Sequence, residues 1–136
     1  MGKKDAWYRD WIGNSVDDVR GGVAVADEPV ALERQDIIDL VSEKTIECRK
    51  EKDQSLCANW FSEGGVVKRI MLADGARKEG VWFVDDQDRL CILWTGKIKP
   101  LCFTLYEQAD GSYHLIKRGK HITTLLGTEE GNTKDL

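Results

Sequence analysis

The stretch from Cys91 to Cys102, CILWTGKIKPLC, places two cysteines at the ends of what reads as a β-hairpin. If Cys91 faces Cys102, then Ile92 faces Leu101, Leu93 faces Pro100 and Trp94 faces Lys99, leaving Thr95 to Ile98 as the loop. With Trp94 and Lys99 as the last hydrogen-bonded pair, antiparallel alternation makes both Leu93–Pro100 and Cys91–Cys102 non-hydrogen-bonded pairs. A proline suits such a position because no ladder donor is needed there. Cysteines suit it because side chains lie closest there and a disulfide spans the gap. The proline and the cysteines therefore ask for one register.

The other two cysteines behave alike. Cys48 and Cys57 are an odd number of positions apart, so a tight hairpin centred on Lys52 and Asp53 sets them opposite each other. The gaps are too wide for the close pairs of a zinc cluster, and no C-x-x-C redox motif is present. The leading expectation is two cross-strand disulfides, 48–57 and 91–102, each contributing on the order of 2–3 kcal/mol. The alternative is four reduced, buried cysteines acting as small hydrophobes in a cytosolic protein. Disulfides imply an oxidising compartment, hence a periplasmic or extracellular protein.

Working outward, eight short β runs follow one another from residue 44: KTIECR, LCANWFS, VVKRIML, EGVWFV, RLCILW, LCFTLYE, SYHLIK and HITTLL. Between them lie short turn segments rich in Gly, Asp and Lys. Strands at this spacing with such turns indicate a sandwich or barrel, and connections this short favour an up-and-down meander. The fold expected is mainly β: a small antiparallel up-and-down barrel of about eight strands, lipocalin-like in architecture, with an N-terminal helix. That helix is read in DEPVALERQDIIDLVSE, with Pro29 at its start and Leu32, Ile37, Ile38, Leu40 and Val41 on an apolar face that covers one end of the sheet. The organisation expected is an N-terminal extension over residues 1–28, a helix-plus-barrel domain over 29–128 and a flexible tail over 129–136.

Composition narrows the function classes. The 136 residues are 41% hydrophobic and 32% charged, as in ordinary globular domains, with a formal net charge of −4. That balance argues against nucleic acid as a partner. No apolar run approaches the roughly 18 residues of a membrane-spanning helix. The start, MGKKDAWYRD, has lysines without an apolar segment behind them, so it does not read as a signal peptide, and an exported protein would be the mature form behind an added start.

The residues also carry a resemblance. LERQDIIDLVSEKTIE, then WFSEGGVV, GVWFVDDQDRLCILW and CFTLYEQADGSYHLI resemble a family of small secreted alphaproteobacterial proteins with no assigned activity. Its pattern is a short helix ending at a strand start, a G-x-W strand, an L-C strand and a following cysteine strand. The landmarks here are Lys44-Thr45, Gly80 with Trp82, Leu90-Cys91, Trp94 and Cys102, within Leu32 to Leu126. The resemblance implies a small lipocalin-like barrel and export. The chain departs from the pattern at Glu43-Lys44 and Asp88-Arg89, where glycines are common, and in its Cys48/Cys57 pair and tryptophan-bearing N-terminus.

Candidate chemistry is sparse. A two-residue loop at Arg118-Gly119 sets Ile116 opposite His121 and His114 opposite Thr123, so both histidines share a face. Glu107 faces His114 if Asp110-Gly111 is a two-residue turn. Glu107, His114 and His121 are thus the weak candidates for a metal or enzyme site; the plainer reading is a solvated polar face. The acidic loop Asp85 to Asp88 lacks the glycine and distant glutamate of an EF-hand, and no serine or threonine lies in a nucleophile elbow. No cofactor and no catalytic residue is expected.

Binding residues are better marked. Leu90, Ile92 and Trp94 alternate onto one face and meet Leu101, Phe103 and Leu105 across the hairpin, with Val81 and Phe83 expected to extend the surface. These seven, Val81, Phe83, Leu90, Ile92, Trp94, Phe103 and Leu105, are the candidate lining of a barrel interior that is either core or enclosure for a small apolar ligand. Trp7, Tyr8, Arg9 and Trp11 are candidates for a protein partner, or else pack on their own barrel. The expected function is non-enzymatic binding, with a small ligand inside or a protein outside. A cavity favours the first and a filled core the second.

Overall fold

The computed structural model of the chain describes residues 29–136. The expected N-terminal extension and its Trp7, Tyr8, Arg9 and Trp11 lie outside the described residues.

Eight antiparallel strands close into one barrel: β1 (Lys44–Lys50), β2 (Leu56–Phe61), β3 (Val66–Met71), β4 (Arg77–Val84), β5 (Leu90–Trp94), β6 (Leu101–Glu107), β7 (Tyr113–Lys117) and β8 (Lys120–Glu130). Each strand pairs with the next, and β8 returns to β1. This is the expected meander. Both disulfides form as expected, with Cys48 paired to Cys57 and Cys91 to Cys102 in the ladders.

One helix precedes the barrel, α1 (Arg34–Val41). It begins later than Pro29 suggests. Glu33 is its N-cap, and the Glu33 backbone N–H donates to the Asp36 carboxylate at 3.1 Å. The residues before it are extended because the barrel has a use for them. β5 and β6 pair only from Leu90–Phe103 to Ile92–Leu101, which leaves the far half of β6, paired with β7 on one edge, open on its β5 edge. Ala31 bridges to Tyr106, and the Leu32 N–H donates to the Leu105 carbonyl at 2.9 Å, so this segment satisfies backbone groups that β5 leaves open. Arg34 then ties the helix start to the β4–β5 loop, donating to the carbonyls of Val84 at 2.7 Å and Asp85 at 3.3 Å.

Ladder partners share a face, so register assigns the interior. Trp82 pairs with Ile92, Val84 with Leu90, Leu90 with Phe103 and Leu105 with Leu115, and all are buried. Phe61, Ile46, Val67, Trp94 and Leu125 join them, and Ile37 and Val41 of α1 complete the same cluster from one end. The helix is a plug. Phe61 and Trp82 meet edge to face, with ring centroids 5.8 Å apart.

Two of the residues read as tail, Glu129 and Glu130, belong to the last strand. β8 continues to Glu130, and the Gly131 N–H and carbonyl are taken by the Glu43 carbonyl and the Thr45 hydroxyl. A long final strand is accommodated by two bulges. Leu126 is skipped between Glu47–Gly127 and Cys48–Leu125, and Ile122 between Leu115–Thr123 and Ile116–His121.

Gly80 allows β4 to approach β5. A Cβ there would lie 2.3 Å from the Leu93 carbonyl oxygen and 2.8 Å from the Trp94 Cα, both backbone atoms that cannot swing away. Gly80→Ala should therefore destabilise the barrel by about 2–3 kcal/mol, in the upper range for overpacking. A urea midpoint unchanged from wild type would show that β5 yields more easily than this packing implies.

Candidate functional site

The histidine pair is the first place where the expectations meet geometry. The bulge at Ile122 decides it. Without the extra residue, His121 would share the inward face of Thr123; with it, His121 pairs with Ile116 on the outer face. His114 lies opposite Thr124 rather than Thr123, and its ring stacks on that of His121, with centroids 3.8 Å apart and planes 19° from parallel.

Glu107 is not with them. The β6–β7 loop closes with the Gln108 N–H on the Ser112 carbonyl and Gly111 at a φ of 89°, a three-residue loop rather than the two-residue turn expected. That slip of one position pairs Glu107 with Tyr113 and Tyr106 with His114. Glu107 therefore faces the opposite side, in a cleft with Asp36, Asp39, Lys44 and Tyr113.

The acid that does accompany the histidines is Glu51, which sequence spacing did not single out. Thr124 donates its hydroxyl to Glu51 Oε2 at 2.6 Å, so the Thr124 Oγ1 accepts from His121 Nε2 at 2.8 Å. Arg49 Nε reaches Glu51 Oε2 at 3.1 Å, and His121 Nε2 stands 3.8 Å from it. Burial opposes the charge on Glu51, but hydrogen bonds from Thr124, Gln54 and Arg49 and the nearby His121 hold its carboxyl below the ordinary value. Both histidines are lowered too, which for them favours the neutral form. Burial first, then its partner ring, lowers His114 to about 4, and burial lowers His121. The pair is a neutral stack beside a carboxylate. It does not gather as metal ligands: among the described residues the one convergent donor group is Asp85 with Cys91 and Cys102, whose sulfurs are bonded to each other. Asp85 itself is spent on its loop, accepting from the backbone N–H groups of Gln87 and Arg89 and pairing with the Arg89 guanidinium at 2.7 Å.

A histidine that is harder to protonate in the fold binds fewer protons than it does unfolded. Stability is then whole above the unfolded pKa of about 6.5 and declines as pH falls toward the folded value of about 4 for His114. His114→Gln should flatten this decline between pH 6.5 and 4. Urea titrations at several pH values would check it, and an unchanged slope would remove the stack from the account.

The interior residues separate into two groups. Leu90, Ile92, Trp94, Phe103 and Leu105 are buried inside the barrel. Val81 and Phe83 are not: they pair with Leu93 and Cys91 on the outer face and are 47% and 41% exposed. Trp82 and Val84 hold the inward positions that Val81 and Phe83 were expected to take. The cause is again a loop of odd length. The Asp85 N–H closes on the Arg89 carbonyl, with Asp88 at a φ of 59°, so Val84 pairs with Leu90 and the parity of β4 follows.

The end away from the helix, the mouth, has a different chemistry. Here Asn59 pairs with Arg69 and Arg69 with Lys78, all on the inward face by register. Asn59 is fully enclosed, its amide N–H reaching the Cys48 sulfur at 3.5 Å and its carbonyl oxygen accepting from Arg69 Nε at 2.9 Å. The Arg69 guanidinium lies 4.8 Å from the Trp94 ring centroid, and the Lys78 ammonium lies 4.4 Å from the same centroid. Leu101 shares this inward face, opposite Ile92, yet is 39% exposed, so it stands in the opening. Trp94 was expected here as an apolar wall. The two cations on it were not expected, because nothing in the spacing of Arg69 and Lys78 reveals that β3 and β4 carry them inward.

Compared with protein-family models, curated proteins and solved structures, the chain matches none of them.

Proposed function

We propose that this chain is a non-enzymatic binding protein that takes a small ligand at the open mouth of its barrel. The observation that carries the reading is the contrast between the two ends. The helix end is plugged by Ile37 and Val41 and closed by one continuous apolar cluster. The mouth instead exposes Leu101 beside Trp94, Arg69 and Lys78, apolar and cationic groups that a solvent-facing core edge does not need. The ligand sits in the rim rather than deep inside, since Phe61, Trp82, Phe103 and Leu105 occupy the interior.

Both disulfides support the view that the protein works in an oxidising compartment, the periplasm or outside the cell. No helix among the described residues is long and apolar enough to cross a membrane. The resemblance of residues 32–126 to a secreted lipocalin-like family supports the same setting.

A second reading has its own observation. On the outer face Val66 pairs with Val81 and Val81 with Leu93, and Phe83 lies two residues along, giving a run of apolar side chains open to solvent. Such a strip suits a protein partner, with the barrel as an inhibitor or accessory subunit.

Native mass spectrometry of protein purified from its own host without reductant separates the two. Under the mouth reading the mass is four hydrogens light and carries a small-molecule adduct that Leu101→Asn loses. A bare mass, with a copurifying protein released by Phe83→Ser, overturns it in favour of the outer face.

A further inference from the structure

Arg69 and Lys78 share a pocket with Glu79, yet no described carboxylate pairs with either cation. Arg69 is largely enclosed, and its bond to Asn59 uses one of the five N–H donors of a guanidinium. Among the described residues, no carboxylate lies within ion-pair distance of Arg69 or Lys78. The charges nearest Lys78 add to the imbalance. Its ammonium is made harder to protonate by burial and then by Arg69, Lys50 and Lys97, every one a cation. Burial likewise brings the Arg69 guanidinium down to about 10, which leaves it charged at neutral pH.

A buried charge is ordinarily paired, because desolvation otherwise goes uncompensated. Here the chain holds the guanidinium in place without compensating it. Asn59 fixes Nε from one side, Trp94 supports the group from another, and among the described residues the remaining donors have no acceptor. Orientation without neutralisation is what an anion receptor requires: the planar fork matches two oxygens of a carboxylate or phosphate, while Lys78 adds a mobile point charge.

We infer that the ligand of the mouth carries an anionic head, a carboxylate or a phosphate ester, received by Arg69 with Lys78 beside it, and an apolar body that lies against Leu101. The inference rests on the mouth being the binding site and names the class of ligand it takes. Net charge hides this, because it averages over acids that do not pair with these two cations.

Three probes of one shape test it: 2-naphthoate, 2-naphthyl phosphate and the neutral 2-naphthalenemethanol, titrated calorimetrically into the whole chain. The expected result is that at least one anion binds about tenfold or more tightly than the alcohol, as a charge-assisted pair in a shielded site provides. Preference between the two anions tells carboxylate from phosphate. Arg69→Met should remove the anion's advantage and leave the alcohol's affinity as it was, while Arg69→Lys, which keeps charge without the fork, should retain part of it. Because Arg69→Met strips Asn59 of its donor, Lys78→Met, on a side chain outside the core, serves as a second variant and should weaken the anion alone. Equal affinity for anion and alcohol, both lost in Leu101→Asn, would overturn the anionic head and leave the mouth as the site. Anion binding unmoved by both cation variants would overturn it too. If wild-type protein binds none of the probes, the mouth reading falls along with it.

Discussion

An eight-stranded barrel is just wide enough for side chains to fill, and the rest of this molecule follows from that limit. Phe61, Trp82, Phe103 and Leu105 use the available section, and Ile37 and Val41 use what remains at one end. With the interior occupied, inward polar side chains collect at the two ends, Glu107 in the cleft at the helix end and a second group at the mouth. Asn59, Arg69 and Lys78 are all found there, one per strand on three neighbouring strands. The filled core therefore does not argue against a ligand; it fixes how deep a ligand can reach.

Narrowness also explains the glycine and the bulges. A small barrel bends its strands sharply, and β4 lies so close to β5 that Gly80 has no room for a Cβ. The last strand pairs with both β7 and β1, and it does so by skipping Ile122 and Leu126. The first of these bulges has a chemical result. It carries His121 out of the interior and onto His114, which turns two separate histidines into a stack that is hard to protonate.

Much of this was legible in the sequence, and the losses share one cause. Strand existence follows from period-two patterning and turn residues, and both cysteine pairs follow from the parity of their own hairpins. What parity could not supply was loop length. At Asp85–Arg89 and Gln108–Ser112 the chain uses three-residue loops closed by a residue in the left-handed region, Asp88 in one and Gly111 in the other. Each shifts the following register by one and turns a strand over. So Val81 and Phe83 came out on the surface, and Glu107 came away from the histidines. Asp88 was the harder case, since an aspartate in a position that favours glycine gives little warning. Pro29 misled for another reason: it suits a helix start, but the open edge of β6 drew that segment into extended structure.

Charge was hidden by averaging. The chain as a whole is acidic, with a formal net charge of −4, and its composition speaks against a basic face. The fold nevertheless gathers some of these charges by sign. Asp36, Asp39 and Glu107 share a cleft at the helix end, and Asp85, Asp86 and Asp88 lie in a loop beside the helix start, while Lys50, Arg69, Lys78 and Lys97 act on one another around the mouth. Arg69 lies where burial shields it from water, which raises both the cost of leaving it unpaired and the advantage of pairing it. The disulfide between Cys48 and Cys57 is part of this arrangement. Its sulfur receives the Asn59 amide, Asn59 holds Arg69, and Arg69 lies on Trp94, so a covalent bond inside the barrel steadies the group at its opening.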